Sequence, residues 1–207
     1  MSQDFYRALE EKFRGSREEI KSRLHVYLPF ARALFKLYSS VSAVDLGCGR
    51  GEWLELLDAE GIEAQGIDLD GAMLESCHAL GLRAEIGDAI SLLKRLPDES
   101  QCIVSGFHIA EHLAFADLQT LVQESLRVLK PAGLLILETP NPENIAVGTS
   151  NFYLDPTHQR PLPPLLLAFL PEHYGFGRVK TLRLQEWSGL ASSSHLSLLT
   201  VLPRCQS

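Results

Sequence analysis

From Val41 to Glu138 short apolar runs alternate with amphipathic stretches, and no other feature of the chain limits its fold as tightly. Val41–Leu46 reads as a strand ending in a glycine-rich turn, and Glu52–Glu60 as a helix closed by Gly61. Ala64–Leu69 is a second strand, Gly71–Leu80 a helix closed by Gly81, and Arg83–Ile86 a third strand. Ala89–Leu96 is helical and leads through a Pro97-Asp98 turn to a fourth strand, Cys102–Phe107. Leu118–Leu129 is a helix that Pro131 ends, and Leu134–Glu138 is a fully apolar fifth strand. Strict strand–helix alternation requires parallel strands with helices on both faces.

The tail breaks this rhythm. Residues 139–164 hold six prolines (140, 142, 156, 161, 163 and 164) and read as a long loop, which in a compact domain is commonly functional. Leu165–Leu170 is helix-like. Val179–Leu184 and His195–Leu202 are strand-like with no room for a crossover helix, so they pair antiparallel. The expected fold is α/β: a doubly wound, mostly parallel seven-stranded sheet with an antiparallel C-terminal hairpin.

Residues 1–40 are helical and polar. Ser16-Arg17-Glu18-Glu19 offers a capping box, and Phe5, Leu9, Phe13, Ile20, Leu24, Tyr27 and Leu28 recur at helical spacing on either side of Gly15. This part reads as a flap over a sheet edge or as a lid over a ligand, in front of a domain spanning 41–207. The formal charge of −7 argues against a grip on nucleic acid, which would need a basic face. No run reaches the ~18 apolar residues of a membrane span, and the first residues lack an apolar signal core. Cys48, Cys77, Cys102 and Cys205 lack disulfide or metal spacing and read as reduced thiols, so the cytoplasm is the expected compartment. The oligomeric state is not legible.

The strongest local signal is Val44-Asp45-Leu46-Gly47-Cys48-Gly49-Arg50-Gly51, a glycine turn at the end of the first strand. Doubly wound sheets bind ligands at the carboxyl ends of their strands, and an acid ~20 residues on holds a ribose diol. Asp68 stands there. Dinucleotides and S-adenosyl-L-methionine both fit this geometry. A dinucleotide turn wants G-x-G-x-x-G and an uncluttered helix terminus for its pyrophosphate. This turn is G-x-G-x-G flanked by Asp45 and Glu52, which suits a ligand carrying an ammonium and a sulfonium.

With these residues the chain resembles the class I S-adenosylmethionine-dependent methyltransferases. Asp45–Gly51 looks like their first motif, Asp68 like their ribose-binding acid, and Gly87-Asp88-Ala89 like the third-strand motif whose acid takes the adenine amino group. Leu129-Lys130-Pro131-Ala132-Gly133-Leu134 is similar to their "LKPGG" turn, with Ala132 in place of a glycine. The resemblance implies a Rossmann-like methyltransferase fold. It also implies a donor pocket formed by Asp45, Gly47, Cys48, Gly49, Gly51, Asp68, Leu69, Asp88, Ala89, Phe107 and His108. Arg17, Lys21 or Arg23 would meet the donor's carboxylate. The plain alternative is that Asp88 and Asp70 only cap helices.

Gly106-Phe107-His108-Ile109-Ala110-Glu111-His112-Leu113 follows the fourth strand, whose end should face the transferred methyl. It contains H-x-x-E-H, the pattern of inverted zinc peptidases. Similar segments are frequent here in the methyltransferases, so no metal is expected; the plain alternative is that Glu111 and His112 only cap or brace the helix. The loops 138–144 and 151–161 mix Asn, Asp, His, Tyr and Phe and would suit a polyhydroxylated acceptor, although Asx turns alone would use the same residues. With Phe13–Lys21 they resemble bacterial surface-polysaccharide and O-antigen methyltransferases. The expected reaction is in-line methyl transfer to an oxygen of a small-molecule or glycan acceptor. His112, His108, Glu111 and His158 are the candidates for removing its proton, with Asp155 placed to hold the His158 ring. A nicotinamide-dependent oxidoreductase and a non-catalytic binding module are the rival readings, separable by cofactor calorimetry and by turnover of bound donor.

Overall fold

The computed structural model describes residues 15–184 and, for the backbone alone, 196–203. The apolar positions Phe5, Leu9 and Phe13, and Cys205, lie outside the described residues. The sheet is built on β1 (Ser42–Leu46), β2 (Glu63–Asp68), β3 (Ala84–Ile86), β4 (Gln101–Phe107) and β5 (Leu129–Pro140). These five run parallel in the spatial order β3-β2-β1-β4-β5, so the order reverses beside β1 and opens a crevice at the carboxyl ends of β1 and β4. Beyond β5 the backbone of β7 (Leu196–Pro203) pairs antiparallel, with Leu135 opposite Val201 and Pro140 opposite Leu196. The strand β6 (Phe176–Leu184) pairs antiparallel with the outer side of β7.

Alternate residues of the central strands feed two cores. Val44, Leu46, Val104, Leu135 and Leu137 face α5 (Ala89–Arg95), α6 (Phe115–Val128) and α8 (Pro164–Tyr174). Ala43, Ile103, Leu134 and Ile136 face the other way, against Trp53, Leu56 and Leu57 of α3 (Glu52–Ala59). Between these two helical groups of the chain, α4 (Gly71–Ala79) follows β2, and Asp70 caps it by accepting from the Ala72 amide at 2.9 Å. In α6 the buried residues Leu118, Leu121, Val122, Ser125 and Val128 form one stripe at helical spacing.

The amino-terminal segment joins the second core. The capping box at Ser16 is formed, with Glu19 reaching back to the Ser16 amide at 2.7 Å. It starts α1 (Arg17–Leu24), which runs through a 3₁₀ turn at His25–Tyr27 into α2 (Leu28–Ala33). Ile20, Leu24, Tyr27, Leu28, Ala31 and Leu34 pack with Ala43, Ile103 and Ile136. This segment therefore covers a face of the sheet and not merely its edge.

Two sequence expectations shift. The helix before β5 ends at Val128, one residue early, because residues 130–133 enter the strand as a bulge: Gln101 pairs with Leu129 and Ile103 already with Leu134. The proline-rich stretch also contains a short helix, α7 (Ile145–Thr149), and a 3₁₀ turn at Asn151–Leu154. Asn144 caps α7 through the Val147 amide and Asp155 accepts from the Thr157 amide, so these Asx side chains do make turns. No helix among the described residues is long and apolar enough to cross a membrane.

Candidate active site

The glycine turn after β1 is held by backbone bonds. Gly47, Gly49 and Gly51 have φ of 69°, 53° and 80°, a region L side chains rarely enter. The amides of Gly47 and Cys48 donate to the Ile67 carbonyl at 2.8 and 3.0 Å, tying the turn to β2. A Cβ on Gly51 would lie 2.7 Å from Cys77 Sγ, and one on Gly66 2.5 Å from Cys48 Sγ. The two thiols, far apart in sequence, meet under the turn; the Cys77 hydrogen bond and burial push the Cys48 thiol up, while the bond from Cys48 holds Cys77 below its usual value.

Asp68 ends β2 with both oxygens engaged: Oδ2 accepts from the Gly49 amide at 2.8 Å and Oδ1 from the Asp70 amide at 2.9 Å. Each oxygen keeps a lone pair for a further donor. Asp45 is buried at the end of β1 and accepts from Ser105 Oγ at 2.7 Å. Leu69 is exposed beside Asp68, Asp88 caps α5 through the Ser91 amide at 2.8 Å, and Ala89 is buried behind it. Phe107 at the end of β4 packs against Tyr27 and Trp53, with ring centroids 5.3 and 5.6 Å away. These residues gather at the carboxyl ends of adjacent strands.

Two electrostatic expectations change. Glu52 is buried and paired with Arg50 at 2.8 Å, so its charge is largely answered inside the turn. Arg17 was expected to meet a ligand carboxylate. Its guanidinium instead holds Glu55 through Nε and Nη2 at 3.0 and 2.8 Å and the Arg50 carbonyl through Nη1 at 2.7 Å. Arg17 and Lys21 keep Glu55 below the usual carboxylate range against the opposing effect of burial. This clamp fixes the glycine turn to α1.

The second half of the site follows β4. Right after the strand His108 takes a left-handed backbone (φ 57°), which turns the chain into the Ala110–His112 3₁₀ turn. Glu111 is fully buried; its Oε1 faces His108 Nδ1 at 3.0 Å and its Oε2 has no hydrogen-bond partner among the described residues. Burial pushes the Glu111 carboxyl up, but the His108 hydrogen bond and the neighbouring imidazoles outweigh it and hold the group below its ordinary range. The single turn at Ala110–His112 removes the helical frame that an inverted zinc peptidase needs, and His108 bonds Glu111 itself.

The proline-rich loop brings His158 beside His112, with ring centroids 4.6 Å apart. His158 Nδ1 lies 2.6 Å from the Phe152 carbonyl, which can only accept, so Nδ1 carries the hydrogen and Nε2 the lone pair. The Thr157 hydroxyl donates to Asp155 at 2.6 Å and must accept from His112 Nδ1 at 2.9 Å, which leaves the lone pair of His112 on Nε2 as well. Asp155 was expected to hold the His158 ring. It stands 3.8 Å from His158 Nε2 and orients His112 through Thr157 instead. Burial holds the His112 imidazole below its ordinary value, favouring the neutral ring.

Sequence reasoning missed Glu138 and the role of Tyr27. Glu138 is buried at the end of β5, accepts from the Tyr27 hydroxyl and lies 3.6 Å from His108 Nε2. Burial raises its pKa despite the nearby His108 and Tyr27. The same burial, with Glu138 beside it, raises Tyr27. An acid closing an otherwise apolar strand was the available signal; Tyr27 looked like one more apolar helix position.

Residues 44–137 match the family profile described as "Methyltransferase domain". A "Probable S-adenosylmethionine-dependent methyltransferase" of Mycolicibacterium smegmatis is 32% identical over 72% of this chain and 56% of its own length. A "Ubiquinone biosynthesis O-methyltransferase" of Methylococcus capsulatus is 31% identical over 59% of this chain and 54% of its own. The chain thus spans about half the length of the curated relatives it matches. The crystal structure of a SAM dependent methyltransferase from Archaeoglobus fulgidus is 31% identical, covers 96% of this chain and 99% of that one, and superposes with a TM-score of 0.84. On that likeness along both whole chains, this chain belongs to the S-adenosylmethionine-dependent methyltransferases.

Proposed function

We propose that the chain transfers the methyl group of S-adenosyl-L-methionine to a hydroxyl oxygen of a small-molecule or glycan acceptor, a saccharide of the surface-polysaccharide or O-antigen kind. The observation that carries the reading is the His112–His158 pair, whose Nε2 lone pairs stand beside buried Glu111 just past the end of β4. The family's donor supplies an electrophilic methyl on a cationic sulfur. The residues present fit it: the glycine turn keeps Cβ atoms away, and Asp68 retains lone pairs for ribose hydroxyls. The free oxygen of Asp88 is assigned to the adenine amino group, with Leu69, Ala89 and Phe107 as apolar neighbours.

The chain's own part is to align the acceptor and take its proton. A sugar hydroxyl is a weak acid, and a positioned base is worth about 10²–10⁴-fold. His112 and His158 each turn Nε2 toward the site, their Nδ1 atoms being engaged by Thr157 and the Phe152 carbonyl. His108, lying between Glu111 and Glu138, is assigned to hold Glu111 in place more than to act as base. Exposed Tyr153 and the Gln159–Arg160 step line the same loop and suit a polyhydroxylated partner.

The test is mass spectrometry after incubation with donor carrying a labelled methyl. One arm uses a cell-envelope glycan-precursor extract. The other uses a quinone-precursor extract, prompted by the name of the Methylococcus relative. Label on a sugar hydroxyl is expected. Label confined to the quinone arm overturns the saccharide assignment, and donor that binds without being consumed in either arm overturns the enzymatic reading.

A further inference from the structure

Three side chains from two distant segments converge past β4: one ligand-capable atom from each of Glu111, His112 and His158 lies within 4.8 Å of the others. We propose that this trio is a binding site for a divalent transition metal, held by two imidazoles and one carboxylate. The argument rests on what the far side of each group does. His108 Nδ1 engages Glu111 Oε1 at 3.0 Å, and Glu111 Oε2, fully buried, has no hydrogen-bond partner among the described residues. The Phe152 carbonyl takes the Nδ1 hydrogen of His158, and Thr157, itself anchored on Asp155, takes that of His112. All three groups are therefore oriented from behind, with their lone pairs left for a common partner, as supporting hydrogen bonds do around metal ligands.

A buried anionic oxygen without a partner is expensive, and a cation removes that penalty. His108 and His158 do not remove it from where they stand: the first addresses the other oxygen, and His158 Nε2 is 4.0 Å from Oε1 with a lone pair, not a hydrogen, on it. Metal–ligand bonds of about 2.0–2.2 Å bring tetrahedral ligand atoms to roughly 3.4 Å of one another, so pairs now as far as 4.8 Å apart close by up to about 1.4 Å on binding. Two imidazoles with one carboxylate suit Zn²⁺, Co²⁺, Mn²⁺ or Fe²⁺ over Mg²⁺ and Ca²⁺, and leave coordination positions open. An acceptor oxygen taking one of them would lose its proton more readily, and the imidazoles would then act as ligands and not as bases. That consequence rests on the methyl-transfer reading; the binding does not.

The test uses the full chain, stripped with a chelator and titrated with Co²⁺. One equivalent should bind and produce visible ligand-field bands, with Zn²⁺ displacing it. Glu111→Gln and His158→Ala should each weaken binding at least about tenfold, and Thr157→Val, which only supports His112, by about the same. His78→Ala removes a histidine of α4 that bonds the Ala84 carbonyl and should leave the titration unchanged. Absence of the bands in the wild type, or equal affinity in the wild type and in folded Glu111→Gln and His158→Ala, overturns the site. Donor calorimetry on the stripped protein reads the methyl-transfer proposal separately, because failure there leaves the cobalt spectrum untouched.

Discussion

On the β1–β2 side of the crevice the polypeptide backbone does the holding. Amides of residues 47, 48, 49 and 70 converge on the Ile67 carbonyl and the Asp68 carboxylate. On the β4–β5 side the holding is done by side chains: His108, Glu111 and His112 after β4, Glu138 on β5, Thr157 and His158 from the loop, Tyr27 from the amino-terminal segment. The first kind of site depends on which residues lack a Cβ. The second depends on the identity of every member, because each imidazole is oriented by a specific partner: His108 by Glu111, His158 by the Phe152 carbonyl and His112 by Thr157.

The largest effect expected from that contrast is on the side-chain half. His112→Ala and His158→Ala should each lower turnover with the true acceptor by about 10²–10⁴-fold, roughly 3–5 kcal/mol of barrier, while donor affinity stays nearly intact. Full turnover in both variants would mean that the second half acts by proximity alone. Asp68→Ala is the matching change in the backbone half. It removes the proposed ribose contacts and also the partner of two amides, so donor binding should weaken by tens-fold or more, about 2–4 kcal/mol. Calorimetry showing unchanged affinity would break the assignment.

A smaller effect separates the halves by pH. Glu138 is buried among Tyr27, His108, Glu111 and Arg23, and burial raises its pKa above that of the unfolded chain. The sign follows from proton linkage: the folded state holds this proton more tightly, so its contribution is full below the unfolded pKa of about 4.3 and is lost as pH rises through the higher folded value. Glu138→Gln keeps an acceptor for Tyr27 and does not ionise. Its stability relative to wild type should therefore improve as pH rises above about 4.3, read from denaturation midpoints across pH. A constant difference at all pH values would show that the carboxyl does not titrate on folding.

The same contrast explains what could be read from the sequence. Strand–helix order, the glycine turn, Asp68 and the caps at Ser16 and Asp70 are local signals, each set by a few neighbouring residues. His112 and Glu111 were visible as a cluster, and His158 was suspected. What holds them was not: the Phe152 carbonyl meets His158 only through the turn of its own loop, and the Thr157 relay to His112 exists only once that loop, some 45 residues downstream, has folded back. The partners of Arg17 were hidden for the same reason, since Glu55 and the Arg50 carbonyl reach it through tertiary packing. Glu138 showed only as an acid closing an apolar strand and Tyr27 only as an apolar helix position, and neither pattern says that the two side chains meet.

The smallest effect lies far from either half and tests backbone strain alone. Ala132 stands in the bulge that opens β5, with φ at 61°. For a residue with a Cβ this left-handed conformation costs about 1–2 kcal/mol. Glycine would relieve it, but a glycine also gains freedom in the unfolded chain, which takes back about 0.5–1 kcal/mol. The difference favours Ala132→Gly by about 0.5–1 kcal/mol, or a rise in Tm of about 1–4 °C for a chain of this length. The neighbouring position should respond with the opposite sign. A Cβ on Gly133 would sit 2.9 Å from the Lys130 carbonyl oxygen and 3.1 Å from that of Cys102, and these backbone atoms cannot swing aside as a side chain would. Gly133→Ala should therefore lower Tm, by the 1–3 kcal/mol typical of overpacking. Because the bulge is at the amino end of β5 and the site at its carboxyl end, neither variant should change donor affinity while the protein is folded. If Ala132→Gly lowers Tm, something other than φ holds this turn, and the alanine there is a packing residue whose methyl group the glycine would remove.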